Sequence, residues 1–168
     1  MAAGATYEPI ATTTLGSAQT TVTFSSISGS YTDLIIVANT KSVSAGGNQW
    51  FMMKFNSDSG SNYSMTYLSG NGSSASSGRY SNRSDGIFPG DTDNTDYMTM
   101  IINIMNYNNS TTYKTVLSRS SDSSDSVKAI VGLWRSTAAI TSVSITNQDV
   151  PSNIASGSTF TLYGILSA

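Results

Sequence analysis

The side chains best able to do chemistry in this chain are a group of aspartates. A pair of carboxylates flanking a glycosidic bond can hydrolyse it as general acid and base, and the candidates here are Asp58, Asp85, Asp91, Asp93 and Asp96. Each of them neighbours Gly, Ser, Asn or Thr, a context typical of turns, where an aspartate bonds to its own backbone. The pattern therefore favours turn formation over catalysis, and we expect no enzyme activity.

The absence of histidine and cysteine removes most other catalytic chemistry. No triad that uses His or Cys can be assembled, and neither a disulfide nor a thiolate metal site can hold the fold. A Ser–Lys pair is possible in principle. However, serine is so abundant that its nearness to a lysine carries no information.

The densest acidic cluster is "DTDNTD", residues 91–96. Oxygen ligands at alternate positions suit calcium, so Asp91, Asp93 and Asp96 are weak candidate metal ligands. The segment lacks the glycine and the distal glutamate of an EF-hand loop. We favour a solvated turn before the next strand, and expect no bound metal and no cofactor.

Aromatic side chains offer a binding interpretation, because their faces can stack on sugar rings. The alternation of "QWFMMKF" and "VKAIVGLW" places Trp50 and Trp134 within apolar strands, so both are predicted to be core. Four tyrosines lie near strand ends or loops, where exposure for sugar binding and half-burial on a sheet are both open: Tyr63, Tyr67, Tyr80 and Tyr107.

Composition excludes several classes of partner. The formal charge of −2 and the pI near 4.7 give no basic face for nucleic acid. Charged residues make up only 11% of the chain, and Ser and Thr, at about a third of it, take their place. The start "MAAGATYEP" lacks the pattern of a secretory signal, and no apolar run is long enough to span a bilayer. We therefore expect neither a nucleic acid nor a membrane partner.

Hydrophobic residues recur with a period of two, which predicts β-strands. Gly, Asn, Ser and Asp clusters separate the strand segments, and helix formers are scarce. The pattern predicts an all-β fold, an antiparallel β-sandwich of the jelly-roll kind with nine or ten strands. Nine segments carry it: "TVTFS", "TDLIIVAN", "QWFMMKF", "NYSMTYL", "DYMTMIINIM", "YKTVLSR", "VKAIVGLW", "AITSVSIT" and "STFTLYGIL".

The chain length of 168 residues predicts one domain. Residues 1–10 are predicted to form an extended N-terminal arm, and residues 11–168 the sandwich. A Ser/Gly-rich stretch around residues 69–86 is predicted to be a flexible loop, with Arg79, Tyr80 and Arg83 as contact anchors because Tyr and Arg are favoured at binding hot spots.

Three blocks in this order resemble a family of small β-rich virion proteins of tailed phages, particularly phages of marine bacteria and cyanobacteria. They are "ATTTLGSAQTTVTFSSISGSYTDLIIV", "FNSDSGSNYSMTYLSGNGSS" and "SGSTFTLYGILSA". The resemblance implies a structural role in the virion, made in the host cytoplasm, with a jelly-roll or similar sandwich fold. It supplies no catalytic residue.

Within that class the resemblance leaves two roles open. One is a capsid decoration or cement protein, which binds the major capsid protein or other virion proteins as a homo-oligomer, a trimer at a local threefold site. The other is a fibre module that binds a host surface glycan. Because a strand pattern begins close to Met1 and leaves no room for a shaft, we expect decoration. The predicted contact residues are Tyr7, Pro9, Tyr67, Asn71, Arg79, Tyr80 and Arg83.

Overall fold

The computed structural model describes residues 6–43, 49–121, 126–148 and 153–166, and the regular structure in these ranges is β-strand. The described part of the chain contains no apolar helix of the length that a bilayer requires. Its strands are β1 (Tyr7–Thr14), β2 (Thr21–Phe24), β3 (Asp33–Thr40), β4 (Gln49–Phe55), β5 (Tyr63–Gly70), β6 (Ala75–Arg83), β7 (Asp91–Thr92), β8 (Met98–Met105), β9 (Lys114–Ser121), β10 (Val127–Trp134), β11 (Val143–Asn147) and β12 (Thr159–Ile165).

The strands form two antiparallel sheets. The large sheet has eight strands in the order β1-β12-β3-β8-β9-β10-β5-β6, and the small sheet has four in the order β2-β11-β4-β7. Within the described ranges neither sheet closes on itself, so β1 and β6 are the edge strands of the large sheet. Open edges of this kind present unpaired backbone groups to their surroundings.

Alternation along each strand decides which side chains are buried. In β8, Met98, Met100, Ile102 and Ile104 are buried while Thr99 is exposed. The buried faces of both sheets contribute to one hydrophobic cluster, which includes residues from β3 and β8 as well as β4 and β11. We call the cluster side of the large sheet its inner face and the opposite side its outer face.

The prediction of an all-β, antiparallel fold is confirmed, and each of the nine segments contains an observed strand. The number of strands predicted was too low, because the described residues hold twelve. The period-two pattern missed β1, β6 and β7, which are exposed or very short. The jelly-roll topology stays a prediction.

The prediction of a flexible loop around residues 69–86 is wrong for most of that stretch. Residues 75–83 form β6, which pairs with β5 as a hairpin. The side-chain oxygen of Asn71 accepts bonds from the backbone N–H groups of Ser73 and Ser74 at 3.1 and 2.9 Å. Gly72 supplies the left-handed backbone that the turn requires, at φ 82°. Backbone pairing has overridden the weak strand propensity of small polar residues.

The boundary of the predicted N-terminal arm is also wrong. β1 runs from Tyr7 to Thr14 across the predicted boundary at residue 10, and it pairs with β12 of the same chain. Pro9 lies at an irregularity in this pairing, as expected on an edge strand, where a missing N–H costs least. Residues 1–5 of the arm lie outside the described residues.

Candidate functional site

Asp58, one of the candidate catalytic carboxylates, is engaged in the turn between β4 and β5. Its Oδ2 accepts the indole N–H of Trp134 at 2.7 Å and the Asn62 amide at 2.9 Å, while Oδ1 accepts the Gly60 backbone N–H at 2.8 Å. Burial raises the pKa of the Asp58 carboxyl, but these hydrogen bonds outweigh it and hold the pKa below its ordinary value. Asp58 thus satisfies the buried indole and shapes the turn.

Asp85, a second candidate, belongs to a surface network after β6. The guanidinium of Arg83 forms a two-pronged ion pair with it, and the Gln148 amide donates a further bond at 3.0 Å. Burial raises the Asp85 pKa, and the bonds from Arg83 and Gln148 more than reverse this, so the pKa lies below its usual value. The same guanidinium lies 5.3 Å from the ring centre of Tyr80, where it can make a cation–π contact.

The lowered pKa values of Asp58 and Asp85 lead us to expect that the protein is less stable to unfolding in acid. Because their folded-state pKa values are lowered, their contribution is present above the unfolded value of about 4 and is lost as the pH falls through the folded values. We expect the urea midpoint to be level near neutral pH and to fall below about pH 4. Asp58→Asn should lower the midpoint at neutral pH and flatten the acid decline. The exposed Asp96→Asn should leave both unchanged; equal curves for the two variants would contradict this account.

The aspartates of the "DTDNTD" segment do not assemble into a metal site. Among the described residues no group of three or more acidic side chains is placed to hold a metal ion. Asp91 is buried and forms an ion pair with Lys128 of β10. Asp93 accepts the backbone N–H of Thr95, as in a turn, and Asp96 is exposed.

A small cleft lies between the β5–β6 end of the large sheet and the β4–β7 end of the small one. We call it the aromatic cleft. Its volume is about 250 Å³. Four aromatic side chains and four polar ones line it: Trp50, Tyr67, Tyr80 and Phe88, with Ser69, Ser76, Asp91 and Lys128.

The aromatic side chains of the cleft form a connected wall. The Tyr67 and Tyr80 rings stack with centres 6.2 Å apart and an interplanar angle of 18°. The Trp50 ring meets the Tyr80 ring edge-on, with ring centres 6.1 Å apart. It packs against Phe88 at a tilt of 41°, with ring centres 5.1 Å apart. Gly78 makes room for this arrangement, because a Cβ there would come within 2.6 Å of the Tyr67 ring.

The polar side of the cleft is one row across the inner face of the large sheet. Lys128 pairs in register with Ser69, and Ser69 with Ser76. The ammonium of Lys128 contacts the Asp91 carboxylate and donates to Ser126 Oγ at 2.8 Å. Both members of the ion pair are largely buried. Because their charges cancel, the cleft offers directed donors and acceptors without a net charge.

The outer face of the large sheet is a second candidate surface. Residues paired in register point to the same side, which brings apolar side chains of five strands together around Arg119. They are Ile35, Val37, Ile101, Leu117, Val127, Ala129, Val131 and Leu68. Leu68, Val127 and Val131 are each more than half exposed. Two adjoining depressions of about 660 and 400 Å³ share Leu68, Arg119 and Ala129, so this face is concave.

Comparison with known proteins gives no assignment. No family model, curated protein or solved structure matches the chain. The two surfaces therefore have to be interpreted from their own chemistry.

The predicted contact residues fall in different places. Tyr67 and Tyr80 line the aromatic cleft, and Arg83 lies over the Tyr80 ring beside it. Asn71 lies at the tip of the β5–β6 hairpin, and the exposed Arg79 is on the outward side of β6. Tyr7 and Pro9 are exposed on β1, at the opposite edge of the large sheet.

The aromatic prediction is corrected at several positions. Tyr63 and Tyr107 are fully buried rather than exposed. Trp134 is core, with 2% of its surface exposed, whereas Trp50 has 36% exposed and borders the cleft. Residue alternation had placed Trp50 opposite Phe51 and Phe55, which was the available sign that it leaves the core. Nothing in the local sequence marks Phe88 or Lys128.

Proposed function

We propose that this chain is a structural protein of a tailed-phage virion, a capsid decoration or cement protein that binds the outer head shell and stabilises contacts between capsomers. Its sheets are proposed to form a jelly-roll sandwich, and the role involves no catalysis. The observation that carries the proposal is the concave apolar outer face. The resemblance of the sequence to phage virion proteins supports the same role.

The outer face suits a protein partner. Contiguous exposed apolar surface rimmed by polar residues is typical of interaction sites, and here Thr99, Ser121 and Thr66 lie among the apolar side chains. Arg119 and Arg79 are the charged side chains among the residues paired with these apolar ones. The carboxylate on the same side of β3, that of Asp33, lies at the start of the strand and accepts the backbone N–H of Asn106 at 2.6 Å. The proposed partner surface, on the major capsid protein, is therefore apolar with a carboxylate opposite Arg119.

Copies of the chain are proposed to associate as a homotrimer at a site of local threefold symmetry. The two open edges of the large sheet support this, since β1 and β6 are available for contacts between copies or with the shell. The predicted contact residues Tyr7, Pro9 and Arg79 lie on these edges, and Asn71 lies beside one of them.

A charge placed on the outer face tests the proposal. Val131→Asp should weaken binding to purified heads that lack the protein at least tenfold, because burying an unpaired carboxylate against an apolar partner costs about 2 kcal/mol or more. Cosedimentation of protein with heads, over a range of concentrations, measures the affinity.

Val43→Asp is the matched control. Val43 is exposed to 53% and Val131 to 51%, but Val43 lies outside the large sheet. Melting curves of both variants establish that they fold. The proposal fails if Val131→Asp binds heads as well as Val43→Asp does.

The second candidate is a fibre module that binds a host surface glycan, and the aromatic cleft favours it. The two candidates differ in location and number. A decoration protein occurs in hundreds of copies on the head, and a fibre module in a dozen or fewer at a fibre end. Copy number from a stained gel of purified virions separates them, as does electron microscopy of labelled particles.

A further inference from the structure

The aromatic cleft contains a partly exposed indole ring, that of Trp50, which a closed hydrophobic core would bury. Trp50 keeps 36% of its surface exposed although it contacts Tyr80 and Phe88. Exposing indole surface forgoes hydrophobic burial, and aromatic wall positions of this kind are typical of small-molecule sites. The negative face of an aromatic ring attracts C–H groups that carry partial positive charge. A ligand with an apolar C–H face therefore suits this wall.

The opposite side of the cleft offers hydrogen bonds that the protein leaves unused. The hydroxyls of Ser69 and Ser76 have no hydrogen-bond partner among the described residues, although both residues line the cleft in the row that contains Lys128. The Lys128 ammonium carries three protons and uses two of them on Asp91 and Ser126. One donor and two hydroxyls thus remain for a ligand rich in hydroxyl groups.

The charge balance and the volume of the cleft further restrict the class of ligand that it can bind. Asp91 neutralises Lys128, so an anionic ligand gains no net attraction. The volume of about 250 Å³ lies just below the ~300–1,000 Å³ typical of sites for drug-sized ligands. The space suits one small ring and excludes a folded segment of another protein.

We infer that the aromatic cleft binds a single neutral pyranose ring of a glycan. The apolar face of the ring packs on Trp50, the exposed ring of the aromatic wall, and its hydroxyls bond to Ser69, Ser76 and Lys128. No covalent step is involved. The inference deepens the glycan-binding candidate and rests on the aromatic wall of the cleft. Ser69, Ser76 and Lys128 also border the larger depression, but Val131 does not line the cleft, so the head-binding test is separate.

The test is a titration of the isolated protein with methyl glycosides of glucose, galactose and mannose. Saturation-transfer NMR on the sugar protons gives the affinity, and we expect saturable binding of at least one glycoside in the millimolar range. Tryptophan fluorescence should change in parallel, because Trp50 lies in the cleft while Trp134 is buried away from it. The methyl glycoside of glucuronic acid should bind more weakly than glucose.

Two variants, each with a matched control, test whether the glycoside binds in the aromatic cleft. Trp50→Ala should weaken binding at least tenfold, whereas Tyr113→Ala, which removes an exposed tyrosine outside the cleft, should not. Ser76→Ala should weaken it several-fold without affecting folding, since its hydroxyl bonds to no described residue. Ser77→Ala is its matched control, because Ser77 is the next residue of β6 and faces the other side of the sheet.

The possible results are distinct. The inference is overturned if none of the neutral glycosides binds, or if the glucuronic acid glycoside binds more tightly than they do. It is also overturned if Trp50→Ala and Ser76→Ala both bind as well as the unchanged protein. None of these results changes the outcome of the cosedimentation test with Val131→Asp. The glycan inference and the shell role therefore fail separately.

Discussion

Replacing Lys114 with methionine should lower the free energy of unfolding by about 3 kcal/mol. Lys114 has 0% of its surface exposed. Its ammonium donates to the backbone carbonyls of Asn109, Thr112 and Thr137 at 2.5, 2.8 and 3.2 Å. Burial lowers the Lys114 pKa below its ordinary value. The methionine fills much of the same space but leaves three carbonyl oxygens without their donor.

The measurement is equilibrium unfolding in urea at neutral pH. Lys41→Met is the matched control, because among the described residues the Lys41 ammonium donates to one carbonyl, Thr95 O, at 3.0 Å in an exposed position, and lies 6.0 Å from the ring centre of Tyr97. That change should cost less than about 1 kcal/mol. Similar losses in the two variants would show that the carbonyl contacts of Lys114 contribute little.

Gly86→Ala should be at least as damaging, with a loss of about 3 kcal/mol or a failure to fold. Gly86 has φ 119°, a backbone conformation that favours glycine. A Cβ at this position would lie 2.4 Å from the carbonyl oxygen of Met53, which is rigid backbone. That same oxygen accepts the N–H of Ile87 at 2.9 Å. The added methyl group would therefore break the bridge that ties this segment to the small sheet.

Alanine substitutions at two other glycines separate the effect of the backbone conformation from that of the steric clash. Gly72→Ala keeps the strained backbone, at φ 82°, but meets nothing within 4 Å, so it isolates the conformational term of about 1 kcal/mol. Gly16→Ala meets nothing either and has no positive φ. We expect urea midpoints in the order Gly16→Ala, Gly72→Ala, Gly86→Ala, from highest to lowest. A Gly86→Ala midpoint equal to that of Gly72→Ala would remove the steric part of the explanation.

The strands that sequence reasoning could predict are those with a buried hydrophobic face. The β8 sequence alternates Met98, Met100, Ile102 and Ile104, and the structure buries all four. β6 carries no such signal, because its strand state comes from backbone pairing with β5 and from the stacking of Tyr80 on Tyr67. These interactions join two segments and are invisible in either segment alone.

Some residues of the aromatic cleft could be predicted from the sequence, but the contacts between distant segments could not. Tyr67 and Tyr80 could be selected because tyrosine at a strand end or loop is a common contact residue. Alternation placed Trp50 on the face opposite Phe51, but it could not say which face the large sheet covers. The Asp91–Lys128 ion pair joins residues 37 positions apart, a closeness that only the fold creates.

The buried ammonium of Lys114 has one more consequence. Many proteins clamp their loops with a captured ion, whose occupancy follows its concentration outside. Here the clamp between the Asn109 and Thr137 loops is covalently tethered to the chain itself. Neither dilution nor a chelator can remove a covalently attached cation, so we expect these Lys114 contacts to be independent of the metal ions in the medium.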